Sequence, residues 1–198
     1  MCVLDFEATC WDGTKEHEII EFPSVLLKWI PGCNSVTTIS EIQIFVKPSH
    51  RPEVSEFCCN LTGITQDQVN GGVSLKEALN THLEWLREHC NNSTENVVIV
   101  TCGHWDLQTM LPMDLQLNNL RYPDPVYKSW VNIKQAFSAV LKPVRGRSMV
   151  QMLKHVKLEL IGRHHSGIDD SKNIASIFGK LVELGLTQEQ FTGLVNMI

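Results

Sequence analysis

The sequence predicts one α/β domain over residues 1–198, a mixed β-sheet flanked by helices. Three observations lead there: strand-like segments crowd the first quarter, helical periodicities fill the remainder around one continuous apolar run, and no linker, repeat or low-complexity tract divides the chain. A chain of 198 residues can bury a substantial core without disulfide or metal staples. With 43% hydrophobic and 20% charged residues it lies in the ordinary globular range, which excludes a disordered or collagen-like polymer.

The elements follow in chain order. Val3–Ala8 is short and apolar-rich, and Ile19–Ile30 is dense in Ile, Val, Leu and Phe, with Pro23 suggesting a bulge or an edge position. Pro31-Gly32-Cys33-Asn34 reads as a turn, and Thr38–Val46 alternates, completing a three-stranded meander. A helix opens at Ser74, where Glu77 completes a capping box, and it continues through Leu75, Ala78, Leu79, Leu86 and Cys90. After the polar loop 91–94, Val97–Thr101 is a buried-strand run. Helical patterns cover Trp105–Leu111, Ile133–Leu141, Met149–Val156 and Asp169–Leu184, and Pro112 should end or kink the first of them.

Carboxylates carry the chemical signal. On a strand, Asp5 and Glu7 share one face at a separation of about 6.5–7 Å, while Leu4, Phe6 and Ala8 share the other. Like charges at a sheet centre call for water or a cation, although a lone D-x-E is most often an ordinary solvated face. Asp106 follows the buried strand at the start of a helical segment, where an acid also suits the helix dipole. Asp170 falls on the apolar stripe Ile174, Ile177, Phe178 and Leu181, whereas Asp169 falls with Asn173, Ser176 and Lys180 on a polar side. A carboxylate on the apolar stripe needs a partner, so Asp170 is the candidate functional group. Four acids from three segments suit hard Mg²⁺ or Mn²⁺ over Zn²⁺. A pair of such ions serves phosphodiester hydrolysis, and an imidazole from His164-His165 could take a proton near neutral pH.

The remaining composition sets boundaries. The formal charge is −5, yet Lys128–Lys180 holds ten bases against three acids, a local +7, and the rest of the chain seven against nineteen. The basic segment reads either as scattered solvated side chains or as a footprint for a polyanion. Seven cysteines, an odd number without a C-x-x-C pair, fit a reduced intracellular protein better than a disulfide scaffold or a cysteine zinc site. No apolar run approaches the roughly 20 residues of a membrane span, and Met1 leads straight into a strand-like segment with no leader expected. Cytoplasmic residence is expected, with the nucleus open to a chain of 22.4 kDa.

Asp5-Phe6-Glu7, Asp106, and His165 five residues before Asp170 resemble the DEDDh class of 3′→5′ exonucleases. Within it, Asp5-Phe6-Glu7-Ala8-Thr9-Cys10-Trp11, Leu61-Thr62-Gly63-Ile64-Thr65 and the run from His165 to Ala175 resemble the 3′ histone mRNA exonuclease family, with Snipper and the prion-protein-interacting exonuclease. The likeness runs from residue 2 to about residue 182, and the order and spacing of the motifs make it specific.

That resemblance implies a ribonuclease H-like fold holding two Mg²⁺ or Mn²⁺ ions. Asp5, Glu7 and Asp170 would hold the first ion; Asp5 would bridge to the second, which Asp106 supports. His165 would be the general base, and His164 a loop residue. Ala8 and Thr9 would meet the terminal 3′-hydroxyl with their backbone, and Leu61, Thr62 and Ile64 would wedge against the last bases. Trp105 and Trp11 are candidates for stacking, and Arg145, Arg147, Lys154 and Lys172 for phosphate contacts. The implied activity is 3′→5′ hydrolysis of single-stranded RNA or short 3′ overhangs, with DNA left open. The alternatives are a non-cutting RNA- or protein-binding module of the same fold and a small-molecule phosphodiesterase. Only four residues precede Asp5, so a frayed central strand is expected, and no accessory nucleic-acid-binding domain is read at either end.

Overall fold

The computed structural model describes residues 1–10, 17–30, 32–141 and 148–198. The expected first strand is divided into β1 (Cys2–Leu4) and β2 (Glu7–Ala8). Both run antiparallel to β3 (Ile19–Trp29), whose other side pairs with β4 (Val36–Phe45). β1 also pairs in parallel with β5 (Ile99–Thr101), and β5 in parallel with β6 (Ser129–Asn132). β7 (Val195–Met197) closes that side antiparallel. The result is a seven-stranded mixed sheet, part meander and part parallel crossover.

The division of the first strand has a local cause. Leu4 pairs with Ser24 and Glu7 with Glu21, so Asp5 and Phe6 stand unpaired opposite Phe22 and Pro23. A proline has no N–H to give to a ladder. Pro23 therefore lies neither on an edge nor at a register shift, but inside a paired strand beside an interruption in its neighbour. The expected fraying does not occur: Cys2, Val3 and Leu4 are fully buried, and the Met1 amino group donates to the Leu27 carbonyl at 2.9 Å.

Alternate residues of the strands face two cores. Cys2, Leu4, Phe22 and Ile99 pack against α3 (Leu75–His89) and α4 (Leu111–Leu117). Val3, Val25, Val100 and Val131 pack against α5 (Ile133–Val140), α6 (Met149–His155) and α7 (Gly167–Glu183). Helices thus cover both faces of the sheet, as an α/β domain requires.

Three differences from the sequence reading concern short elements. Between β4 and α3 lie α1 (Glu56–Thr62) and α2 (Gln66–Asn70), capped by Ser55 and Thr65, and α8 (Gln188–Thr192) precedes β7. Pro112 does not end its helix: Asp106–Met110 is wound as a π-turn and continues into α4. Pro112 sits in the first turn of α4, where a missing N–H is tolerated.

Candidate active site

The carboxylates gather where the first strand breaks, at the carboxyl ends of the parallel strands β1 and β5. Ligands of open α/β sheets bind at such ends. Carboxylate oxygens of Asp5, Glu7 and Asp170 all lie within 4.8 Å of one another. Asp106, at the first residue of the π-turn, lies beside this trio and accepts the freed Phe6 N–H at 3.0 Å.

Two neighbours draw α7 onto the cluster. Glu21, a buried acid on β3, accepts the Gly167 and Ile168 N–H groups at 3.1 and 3.2 Å, so it caps the helix that carries Asp170. Gly167 allows the approach: a Cβ there would stand 2.7 Å from the Asp5 carbonyl oxygen. The loop before α7 is held separately. Asp170 Oδ2 accepts the His165 N–H at 2.9 Å, and His165 takes the left-handed conformation, φ +66°.

The electrostatics are those of a site missing positive charge. Burial, then Asp106, Glu7 and Asp170, raise the Asp5 carboxyl well above its usual range. Burial and the neighbouring acids Glu21, Asp170 and Asp106 push Glu7 up to about 9. Asp106 rises to about 6 through burial, opposed by its bond from Phe6 and by the charge of Lys134. Asp170 rises by burial against the His165 bond, and its Oδ1 is buried without a hydrogen-bond partner. Burial and His164 together lower His165, which favours the neutral imidazole. The donor set is all-oxygen and the orphan acceptor points to a missing cation, so the trio fits a hard divalent ion.

The other expected contacts are distributed unevenly. Trp105 is 52% exposed and lies edge-on to His17 at a ring separation of 6.2 Å, so it is not a core residue. Leu61 is half-buried at the end of α1, but Thr62 and Ile64 are buried. Thr62 donates to the Cys58 carbonyl and accepts from Ile64 N–H, so both residues shape the corner. Thr9 is buried; its N–H donates to Glu18 and its carbonyl faces His17 Nδ1 at 2.8 Å, while the Ala8 carbonyl accepts from Cys58.

Several described bases of the basic segment are engaged by the protein itself. Lys172 pairs with Glu41, Lys180 with Glu183, and Arg163 donates to carbonyls of Asn60 and Leu61 at the end of α1. Lys154 is exposed, and Trp11, Arg145 and Arg147 lie outside the described residues. Sequence reasoning missed Glu21, Gly167 and Lys134. Glu21 did leave a signal, a charged residue inside an apolar strand.

This is the arrangement of a ribonuclease H-like nuclease: a mixed sheet flanked by helices, with the acids at the strand ends. A family model described as RNase_T, Exonuclease, matches residues 2–178, and the chain belongs to that exonuclease family. It is 38% identical over 189 residues to 3′-5′ exoribonuclease 1 of Rattus norvegicus, covering 93% of this chain and 53% of the relative. It is 39% identical over 191 residues to ERI1 exoribonuclease 3 of Homo sapiens, covering 95% and 55%. The solved nuclease domain of 3′hExo, a DEDDh family member bound to rAMP, matches with a TM-score of 0.82 at 33% identity, over 93% of this chain and 92% of that one. The chain spans about half the length of the curated relatives it matches. The family is dependent on divalent metal.

Proposed function

We propose that this chain is a 3′→5′ exoribonuclease that removes nucleotides from single-stranded RNA 3′ ends or short overhangs, with two Mg²⁺ or Mn²⁺ ions as cofactors. The observation that carries the reading is the convergence of Asp5, Glu7 and Asp170 within 4.8 Å, with Asp170 Oδ1 left unpartnered and His165 on the adjoining loop. Bound cations would supply activation of water and stabilisation of the leaving oxygen. Asp5, Glu7 and Asp170 would hold the first ion, and Asp106 with Asp5 would support the second.

The remaining steps belong to the protein. His165, kept neutral by burial and by His164, takes a proton from the attacking water. The new bond joins water oxygen to phosphorus, and the bond from phosphorus to the 3′-oxygen breaks, releasing a nucleoside 5′-monophosphate. Trp105 offers an exposed ring to a base, and half-buried Leu61 presents an apolar edge at the end of α1. The backbone of Ala8 and Thr9 faces the terminal ribose. These contacts read ribose and stacked bases without a sequence code, which suits digestion of a single strand.

The test is an end-labelled single-stranded RNA incubated with the protein in Mn²⁺ and in EDTA. Stepwise loss from the 3′ end in Mn²⁺ alone is expected, and His165→Ala should slow it by roughly 10²–10⁴-fold while cation binding persists. Binding without cleavage would make the chain an RNA-binding module. Cleavage of dinucleotide esters in preference to the longer RNA would make it a small-molecule phosphodiesterase.

A further inference from the structure

The loop before α7 carries more metal-ligand chemistry than the proposed hydrolysis uses. His164 and His165 are adjacent in sequence, and in extended chain adjacent side chains point to opposite sides. Here the left-handed conformation of His165 turns both rings to one side, with centroids 3.9 Å apart and planes 32° from parallel. Ligand atoms of His164, His165 and Asp170 all fall within 4.8 Å of one another. Asp170 is only 4% exposed, and its Oδ1 is buried without a partner.

We propose that His164, His165 and Asp170 form a second cation site, selective for a borderline transition-metal ion such as Zn²⁺, and that filling it withdraws His165 from proton transfer. The selectivity comes from the donors. Imidazole nitrogens suit Zn²⁺, whereas Mg²⁺ prefers oxygens at octahedral positions. Two nitrogens and one carboxylate make the three-ligand set of a tetrahedral Zn²⁺ ion, with water completing it. Zn–N bonds of about 2.0–2.1 Å require the donors to close slightly from their present spacing, which an exposed loop side chain such as His164 can do.

The consequence for activity follows from electron pairs. A lone pair on His165 committed to Zn²⁺ cannot accept a proton from water. Asp170 is common to both sets of ligands, so the transition-metal ion also competes for a carboxylate of the hard-cation site. Binding rests on the geometry alone; inhibition rests in addition on His165 serving as the base in the proposed function.

His164 separates the two sites, because it belongs to the nitrogen-rich one only. Calorimetric titration of Zn²⁺ into the protein in excess Mg²⁺ should show one binding event. His164→Ala, and His164→Asn as a variant that keeps a polar loop side chain, should weaken that event by at least about 10-fold. In RNA hydrolysis with Mg²⁺ saturating, Zn²⁺ should inhibit the unaltered protein over its binding range. The His164 variants should still hydrolyse RNA in Mg²⁺, and measured against each variant's own Mg²⁺-supported rate the inhibition midpoint should shift by the same factor. Equal Zn²⁺ affinity in all three proteins overturns the site, and Zn²⁺-supported turnover overturns the inhibition. A protein that hydrolyses no RNA in Mg²⁺ or Mn²⁺ would instead overturn the proposed function, while the calorimetric difference would still decide the site.

Discussion

Two groups of buried acids in this molecule show opposite uses of the same side chain. Glu18 and Asp114 are each saturated by the protein. Glu18 accepts from the N–H groups of Ser49, His50 and Arg51 and from the Ser49 hydroxyl, at 2.6 to 3.3 Å. Asp114 accepts from Ile19 N–H and the Asn118 amide, both at 2.8 Å. Asp5, Glu7 and Asp170 instead face one another, and burial and like charge dominate the shifts of the first two. The first group replaces water with amide donors and stitches loops to strands. In the second, the His165 N–H reaches Asp170 Oδ2 while Oδ1 is left unpartnered among facing carboxylates, which suits a cation, so removing a charge should act in opposite directions in the two places.

The largest effect should separate them cleanly. Asp5→Asn or Asp170→Asn is expected to reduce nucleotide release by at least roughly 10²–10³-fold, while Tm in EDTA stays level or rises, because a repelling charge is gone. Glu18→Gln should do the reverse, costing about 1.5–3 kcal/mol as a charge-assisted acceptor is lost, or roughly 3–12 °C in Tm, with the folded fraction still cleaving RNA. Full activity in Asp5→Asn, or a Tm unchanged in Glu18→Gln, would erase the distinction.

A smaller effect tests whether the cluster depends on how closely α7 approaches β1. Gly167→Ala places a methyl 2.7 Å from the Asp5 carbonyl oxygen and 2.9 Å from the Pro23 ring. The start of α7 must shift, carrying His165 and Asp170 with it. Displacements near 1 Å can cost on the order of 10²-fold in rate, so turnover should fall by about that much with hard-cation binding weakened in parallel. Unaltered kinetics would show that the helix has slack and that Glu21 and Gly167 do not set the geometry.

The sequence exposed the clustered acids better than it exposed the framework. Asp170 was distinguishable from Asp169 because helical periodicity puts it on the apolar stripe, and in the fold it is buried while Asp169 accepts the Arg163 N–H on the loop. The same argument failed for Asn173: it lies on the polar side, yet it is fully buried, bonded to both backbone groups of Ile161. A helix face can be polar and inaccessible when a loop folds over it. Strands β6 and β7, of four and three residues, are too short for a period to emerge. The broken first strand was also illegible, since the break combines Pro23 in the neighbouring strand with a distant partner: Phe6 N–H is claimed by Asp106, 100 residues away. Motif order therefore identified the acids, and only the fold showed why they meet.

The smallest effect concerns protons. In the metal-free fold the carboxyls of Asp5, Glu7, Asp106 and Asp170 are raised, Glu7 to about 9 and Asp106 to about 6. Above the unfolded carboxyl pKa of about 4 the folded state then binds more protons than the unfolded chain. Stability from these groups is complete below that pH and is lost as pH rises through their folded values. Asp114, also raised to about 6, adds to the slope only in its lower part. Tm in EDTA should therefore decline from mildly acidic to mildly alkaline pH, and Mn²⁺ should restore it most at the alkaline end. There, at roughly 100 times its dissociation constant, the cation should raise Tm by about 5–10 °C. Asp5→Asn should flatten the decline and shrink the Mn²⁺ gain. A Tm independent of pH in EDTA, or a Mn²⁺ gain as large at acidic pH as at alkaline pH, would mean that the cluster does not hold protons in place of its cation.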